Sequence, residues 1–310
     1  MKLLTFKTQG SEHIGALLDD GKTVADFTAA SDAPPFRGML ELIDGGPAAL
    51  AQAAELARQA RSTVQLASIE LCSPLPVPRQ IRDFLAFEKH IRQARAHRYL
   101  FGLAKGPVAP EDVEIPPVWY RQPTYYKANR FSVIGHGQDI IWPAYSSMMD
   151  FELEFGVVIG KTGKNIRAED ARSHIFGYTI FNDMSARDAQ MAEMQASLGP
   201  SKGKDFDTGN VIGPWIVTAD EIADPYALDM VVRVNGEERG RGNSRDMLFR
   251  FEDFIAHVSR DETLHAGEFL GSGTVGNGSG LEFGRFLEPG DDIEMEVSGI
   301  GTLRNRLVRR

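Results

Sequence analysis

Two glutamates set two apart in an apolar run, Phe151-Glu152-Leu153-Glu154-Phe155-Gly156-Val157-Val158-Ile159, constrain this chain more than any other stretch. The run is β-like, and residues i and i+2 of a strand point to one face while their neighbours point to the other. Glu152 and Glu154 therefore share a face, and Phe151, Leu153 and Phe155 turn toward a core on the opposite side. A second β-like run, residues 176–181, ends at Asn182-Asp183. If the two runs are neighbouring strands, Asp183 joins the two glutamates. Three carboxylates with no His or Cys among them are hard oxygen ligands that suit Mg²⁺ or Mn²⁺ better than Zn²⁺. A solvated strand face could carry the same glutamates with no chemistry, so the other motifs have to decide.

The chain has 310 residues and a formal net charge of −9, which argues against nucleic acid as a partner. A local group of Arg and Lys can still take a small anion. Cys72 is the single cysteine, so no internal disulfide forms, in keeping with a reducing cytoplasm. The apolar run at the start, MKLLTFKTQG, is too short for a signal peptide, and no segment approaches the roughly 18 apolar residues of a membrane span. The expectation is a cytoplasmic protein with no membrane partner.

Residues 1–72 read as a small leading α/β domain used for packing or oligomerisation, with strands at 3–6, 13–18 and 23–26 and helices at 39–44 and 47–61. The proline-rich SPLPVPRQ at 73–80 marks a boundary, and 73–310 form the second domain. Phe84, Phe87, Ile91 and Ala94 recur at helical spacing, with Arg92, Arg95 and Arg98 on the polar side. Arg187 and Gln190 lie three apart at the start of another helix and share a face. Residues 228–234 and 237–240 form a hairpin through Asn235-Gly236, a helix follows at 247–257, and the basic end RNRLVRR reads as a solvated tail. Gly271, Gly273 and Gly276 spell G-x-G-x-x-G, but no crossover helix follows, so a dinucleotide site is rejected. The Gly- and Lys-rich loop at 199–209 has the wrong spacing for a phosphate loop, with Asp205 where a hydroxyl is needed.

Taken together, FELEFGVVIG, then GYTIFNDMSARDAQ, then GKDFDTGNVIGPW resemble the fumarylacetoacetate hydrolase family over most of the chain, from about Ser73 to Leu307. The resemblance implies a mostly β α+β fold with a rolled, barrel-like catalytic core, usually as a homodimer. It implies that Glu152, Glu154 and Asp183 are metal ligands, with Asp83 as a further one, for Mg²⁺ (or Mn²⁺ or Ca²⁺). His90 matches the general base and Lys204 the active-site lysine. Glu288 matches the glutamate that orients the histidine, with Glu88 as the other candidate. Tyr126 with Lys127, Arg187, Gln190, and Thr274 beside Gly273 match residues at the substrate. One departure is Gln93, where members with a mobile lid helix carry a glutamate paired to the histidine.

The activity implied is metal-dependent hydrolysis of a C–C bond in a 1,3-dicarbonyl or acylpyruvate-type acid, in catabolism of aromatic or cyclic compounds. Water attack needs a base, which His90 supplies, and a lysine beside the metal offsets charge on a substrate oxygen. Relatives that decarboxylate oxaloacetate, or hydrate or isomerise oxo acids, use the same metal-stabilised enolate. A non-catalytic binding protein on this scaffold would have no need of Asp83, His90, Lys204 and three metal carboxylates at once.

Overall fold

The glutamate run forms a strand, Leu153–Ile159, and every residue in it is buried. In the computed structural model, which describes residues 1–310, this strand lies near the middle of a large sheet. It pairs antiparallel with Ile175–Asp183, Leu153 opposite Asn182 and Glu154 opposite Phe181, and with Phe269–Gly271, Gly156 opposite Gly271. Phe151, Leu153, Phe155 and Val157 enter one apolar cluster. Val158, from the other side of the strand, enters a second. A strand buried on both faces reads as a continuous apolar run, and only Glu154 interrupts it.

The sheet runs from Thr63–Gln65 through Thr23–Asp26, Ser11–Leu17, Lys2–Thr8, Asn210–Thr218, Ile175–Asp183, Leu153–Ile159, Phe269–Gly271 and Ile81–Phe84 to Tyr125–Ala128. The rolled barrel expected of the core is not closed by strand pairing, because this path is open. The edge of Asn210–Thr218 that a closing strand would need is taken by Lys2–Thr8, with Lys2 opposite Val217, and by Val133–Ile134. The leading 72 residues thus extend the same sheet. Their Leu3, Ile14, Phe27, Leu42 and Ile43 share a cluster with Phe181, Ile212 and Ile216.

A second sheet of five strands, from Glu237–Asn243 to Asp139–Ile141, packs on the first through Val232, Met295, Leu303 and Leu307. The Asn235-Gly236 hairpin forms as expected, both residues at positive φ. The helix Phe251–Val258 packs on the first sheet, with the Phe254 ring stacked on Phe84 at 3.7 Å and Phe251 edge-on to Phe155 at 5.0 Å.

Two expectations are corrected. Phe84 belongs to a strand, Ile81–Phe84, and the helix begins only at Glu88. Pairing with Phe269–Gly271 on one side and Tyr125–Ala128 on the other overrides the helical spacing. The basic end is the strand Gly301–Val308: Leu303, Asn305 and Leu307 are buried while Arg304 and Arg306 point out, the period of two expected of a half-covered strand. Because the leading segment shares both sheet and core with the rest, heating should unfold the protein in one calorimetric transition. A chain starting at Ser73 should lose that transition and aggregate through the bared edge of Asn210–Thr218. A soluble, cooperatively folded 73–310 would contradict this.

Candidate metal site

Strand order brings four carboxylates to one place. Asp183 ends the Ile175–Asp183 strand, and its backbone N–H donates to the Glu152 carbonyl at 3.3 Å. Asp83, two strands away on the other side, stands opposite Gly271. A side chain at Gly271 would put a Cβ 2.4 Å from Asp83 Oδ1 and 3.2 Å from Glu154 Oε2, so the missing Cβ lets these two acids meet. Asp83, Glu154 and Asp183 each offer an oxygen within 4.8 Å of the others, all three side chains buried.

Glu152, expected with Glu154 and Asp183 in this group, is displaced from it. Lys204 Nζ donates to Glu152 Oε2 at 2.6 Å and to Asp183 Oδ2 at 2.5 Å, and the Arg187 guanidinium lies 2.7 Å from Glu152 Oε1. Both cations approach from the Glu152 side, so Asp83 is the third member of the close group. The ammonium of Lys204 stands between Glu152 and Asp183.

Burial pushes the Asp83 carboxyl up to about 8, reinforced by Asp183. Burial likewise pushes Asp183 up to about 6, against the pull of Lys204. Glu154 is held well above the usual range by burial and by Asp83. At Glu152 burial acts upward, but Arg187 and Lys204 outweigh it and hold the carboxylate down. Burial and the neighbouring Asp183 raise the Tyr126 hydroxyl, which donates to Asp183 Oδ2 at 2.7 Å. Asp183 Oδ1 is buried with no hydrogen-bond partner. An orphaned carboxylate oxygen, an all-oxygen donor set and excess negative charge fit a hard dication.

Gly273, at φ +79, donates its N–H to Glu154 Oε2 at 2.9 Å and to Asp83 Oδ1 at 3.3 Å. Thr274 Oγ1 donates to Glu154 Oε1 at 3.2 Å. The literal G-x-G-x-x-G is therefore a turn that holds carboxylates, and the short turn Gly280–Phe283 follows it in place of a crossover helix. Tyr126 faces the site while Lys127 points outward, as alternation along Tyr125–Ala128 requires.

His90 is buried on the helix Glu88–Ala96, and its Nδ1 lies 2.8 Å from Glu282 Oε1. This corrects both expected partners. Glu288 is exposed beyond the turn, where its N–H donates to Asp291, and Glu88 pairs with Arg92 and Tyr120 on the outer face. Glu282 is held as an acceptor by the N–H of Asn277 at 2.5 Å, the N–H of Gly278 at 3.1 Å and Ser279 Oγ at 3.2 Å. A carboxylate so fixed assigns the His90 proton to Nδ1 and leaves Nε2 basic. Gln93, the departure noted above, bonds Asn277 at 3.0 Å and so steadies the loop that holds Glu282.

Arg187 is buried, its Nε on Asp150 at 2.8 Å and its Nη1 on Gln190 Oε1 at 2.9 Å. Burial lowers its pKa, but Glu152 and Asp150 outweigh that and raise it. Sequence reasoning missed Asp150 and Glu282. Asp150 directly precedes the glutamate run, a signal that could have flagged it; Glu282 had none beyond its place after the glycine turn. Asp83, His90, Tyr126, Glu152, Glu154, Asp183, Arg187, Gln190, Lys204 and Thr274 line one cavity of about 570 Å³, which also reaches Arg95, Arg98, Met191 and Leu281, whereas Glu88, Lys127, Gly273 and Glu288 do not line it.

Residues 79–308 match the profile of the fumarylacetoacetate (FAA) hydrolase C-terminal domain. The chain is 32% identical over 99% of its length, and 100% of the relative's, to oxaloacetate tautomerase YisK of Bacillus subtilis (strain 168). Among solved structures, fumarylacetoacetate hydrolase from psychrophilic Exiguobacterium antarcticum matches at TM-score 0.77 and 28% identity, covering 100% of both chains. Maleylpyruvate hydrolase from Sphingobium sp. SYK-6, in complex with manganese(II) ion and pyruvate, matches at TM-score 0.75 and 25% identity over 100% of this chain and 99% of that one.

With divalent ions removed, Asp83 and Asp183 stabilise the fold fully below about pH 3.8, their ordinary value, and lose that contribution as pH rises toward 8. Asp83→Asn should therefore raise the melting temperature of chelated protein by about 4–8 °C at pH 8 and by less at pH 5. Added Mn²⁺ should stabilise the wild type more at pH 8 than at pH 5. Equal gains at both pH values, read by calorimetry, would refute the buried-acid account.

Proposed function

The chain belongs to the fumarylacetoacetate hydrolase family, and from that premise we propose that it is a divalent-metal-dependent enzyme that hydrolyses a C–C bond in a 1,3-dicarbonyl or acylpyruvate-type acid. Asp83, Glu154 and Asp183 would hold Mg²⁺ or Mn²⁺, with Glu152 as the fourth carboxylate beyond the Lys204 ammonium. A dication bound there supplies Lewis-acid stabilisation of negative charge on the oxygens of an oxo acid.

The observation that carries the hydrolytic reading is that His90, backed by Glu282, lines the same cavity as those carboxylates. With Nδ1–H bonded to Glu282, His90 Nε2 takes a proton from a water aimed at the distal carbonyl carbon. The water oxygen bonds to that carbon, the C–C bond breaks toward the carbon between the two carbonyls, and His90 returns its proton there. Glu282 stabilises the imidazolium meanwhile. Lys204 Nζ, buried against Glu152 and Asp183, keeps positive charge where substrate oxygens become negative. Tyr126 and Thr274 hold Asp183 and Glu154 in register and border the substrate, and Arg187 and Gln190 form the wall beside them.

A second reading is favoured by the 32% identity to a relative named oxaloacetate tautomerase. Keto–enol interconversion would ask His90 only to move a proton between carbon and oxygen. Products separate the two: Mn²⁺-loaded protein given acylpyruvates should release pyruvate and a second acid, and chelation should abolish this. Enolisation of oxaloacetate with no fragment from any acylpyruvate would replace hydrolysis by tautomerisation. Glu282→Gln should lower kcat about 10²-fold while calorimetric Mn²⁺ affinity holds. Asp183→Asn should lose the ion itself.

A further inference from the structure

One buried carboxylate has no place in the steps above. Asp150 is fully buried and lies outside the close group of Asp83, Glu154 and Asp183. It precedes Glu152 by two residues, and the Arg187 guanidinium meets both: Nη2 lies 2.7 Å from Asp150 Oδ2 and 2.7 Å from Glu152 Oε1. N–H groups from distant parts of the chain converge on Asp150. Arg187 Nε donates to Oδ2 at 2.8 Å, and the Leu281 N–H donates to the same oxygen at 2.9 Å. The other oxygen, Oδ1, accepts from the Gly280 N–H at 2.8 Å and from the Phe151 N–H at 2.9 Å.

These donors belong to the two halves of the site. Arg187 faces the carboxylate end, whereas Gly280 and Leu281 open the turn Gly280–Phe283, whose Glu282 meets His90. Bonds from Asn277, Gly278 and Ser279 fix the Glu282 carboxylate within its own loop. They leave open where that loop sits. Backbone pairing seats it at Gly278, whose carbonyl accepts from the Leu153 N–H at 2.9 Å. Next to Glu282 itself, the Asp150 carboxylate seats it. Gly280 is suited to this contact, because a Cβ there would stand 2.4 Å from Asp150 Oδ1.

We propose that Asp150 is a positioning residue: it ties the Arg187 guanidinium and the Gly280–Leu281 turn to one carboxylate, and so sets Glu282, and through it the His90 ring, in place against the metal carboxylates. The inference rests on the reading above in which His90 moves a proton, in hydrolysis and in tautomerisation alike. An amide cannot take over this task. Both Asp150 oxygens accept, and an asparagine turns its NH₂ toward either the Arg187 and Leu281 donors or the Gly280 and Phe151 donors. Donor then faces donor, and the turn or the guanidinium has to move. Misplacing a reacting group by about 1 Å costs up to about 10²-fold in rate.

The test compares Asp150→Asn, Glu282→Gln and the double variant in the Mn²⁺-loaded full chain. D150N should lower kcat at least about tenfold while calorimetric Mn²⁺ affinity stays within about threefold of the wild type. An affinity loss as large as the loss of kcat overturns the proposal. Because Asp150 acts through Glu282, the double variant should be slower than E282Q by no more than about twofold, and losses that multiply overturn the proposal. In ¹⁵N-histidine-labelled protein loaded with Mg²⁺ at pH 8, the His90 signals, identified with H90N, should report one tautomer in the wild type and a mixture in D150N. An unchanged tautomer overturns the proposal. If D150N does not fold, R187K takes its place, since it keeps the charge and removes the Nε–H that Asp150 holds. The same mixture of tautomers is expected there, and an unchanged His90 again overturns the proposal. If the wild type turns over no oxo acid, the reaction reading has failed on its own, and the tautomer comparison decides whether Asp150 positions His90.

Discussion

Too many buried carboxylates for the cations beside them is the constraint on which this structure turns. Asp83, Glu152, Glu154, Asp183 and Asp150 are all buried in one region, and Lys204 and Arg187 are the cations that face them. An unpaired buried charge costs several kcal/mol. The chain meets that cost in two ways: burial raises the pKa values of Asp83 and Glu154, which favours their neutral forms, and the Lys204 ammonium stands between Glu152 and Asp183. A divalent ion would meet it better. The site is thus a place where stability is held below its optimum for the sake of chemistry, and two apolar clusters on either side of the sheet carry the fold.

The groups that must stay fixed and the groups that must meet different ligands are on different kinds of element. The carboxylates sit in or against paired strands, where ladders on both sides set their spacing and Gly271 permits their approach. His90 and Arg95 sit on a short helix that packs on the Gly280–Phe283 turn, and the tie between helix and turn is the His90–Glu282 pair. Preorganisation of the acids on strands is what precise placement of charge requires. The helix shapes the rest of the cavity, so variation along it would alter what is bound with little change in how an ion is held.

Local chemistry made much of this legible beforehand. Alternation placed Glu152 and Glu154 on one face and Phe151, Leu153 and Phe155 in the core, and the structure agrees. Asn235-Gly236 announced its hairpin because few other pairs accept two positive φ values. Asp83, Lys204, His90 and Tyr126 were found through motif resemblance, and all line the cavity. Phe84 misled because a short strand and the start of a helix present the same apolar spacing, and only pairing with distant strands separates them. The strand in the basic end was hidden for a similar reason: arginines on its open face masked a buried row of Leu303, Asn305 and Leu307.

What the sequence determined by itself was period and identity: which residues share a face, where a turn is forced, and which residue types could grip a hard cation. What the tertiary structure decided was partnership. His90 chose Glu282 over Glu88 and Glu288 across 192 residues of chain, Glu152 went to Arg187 and Lys204 while Asp83 joined Glu154, and the leading strands took the edge that would have closed a barrel. Periodicity is a property of backbone geometry and is written locally. Partnership depends on which elements a collapsed core brings within 3 Å of one another, and no stretch of sequence records that distance.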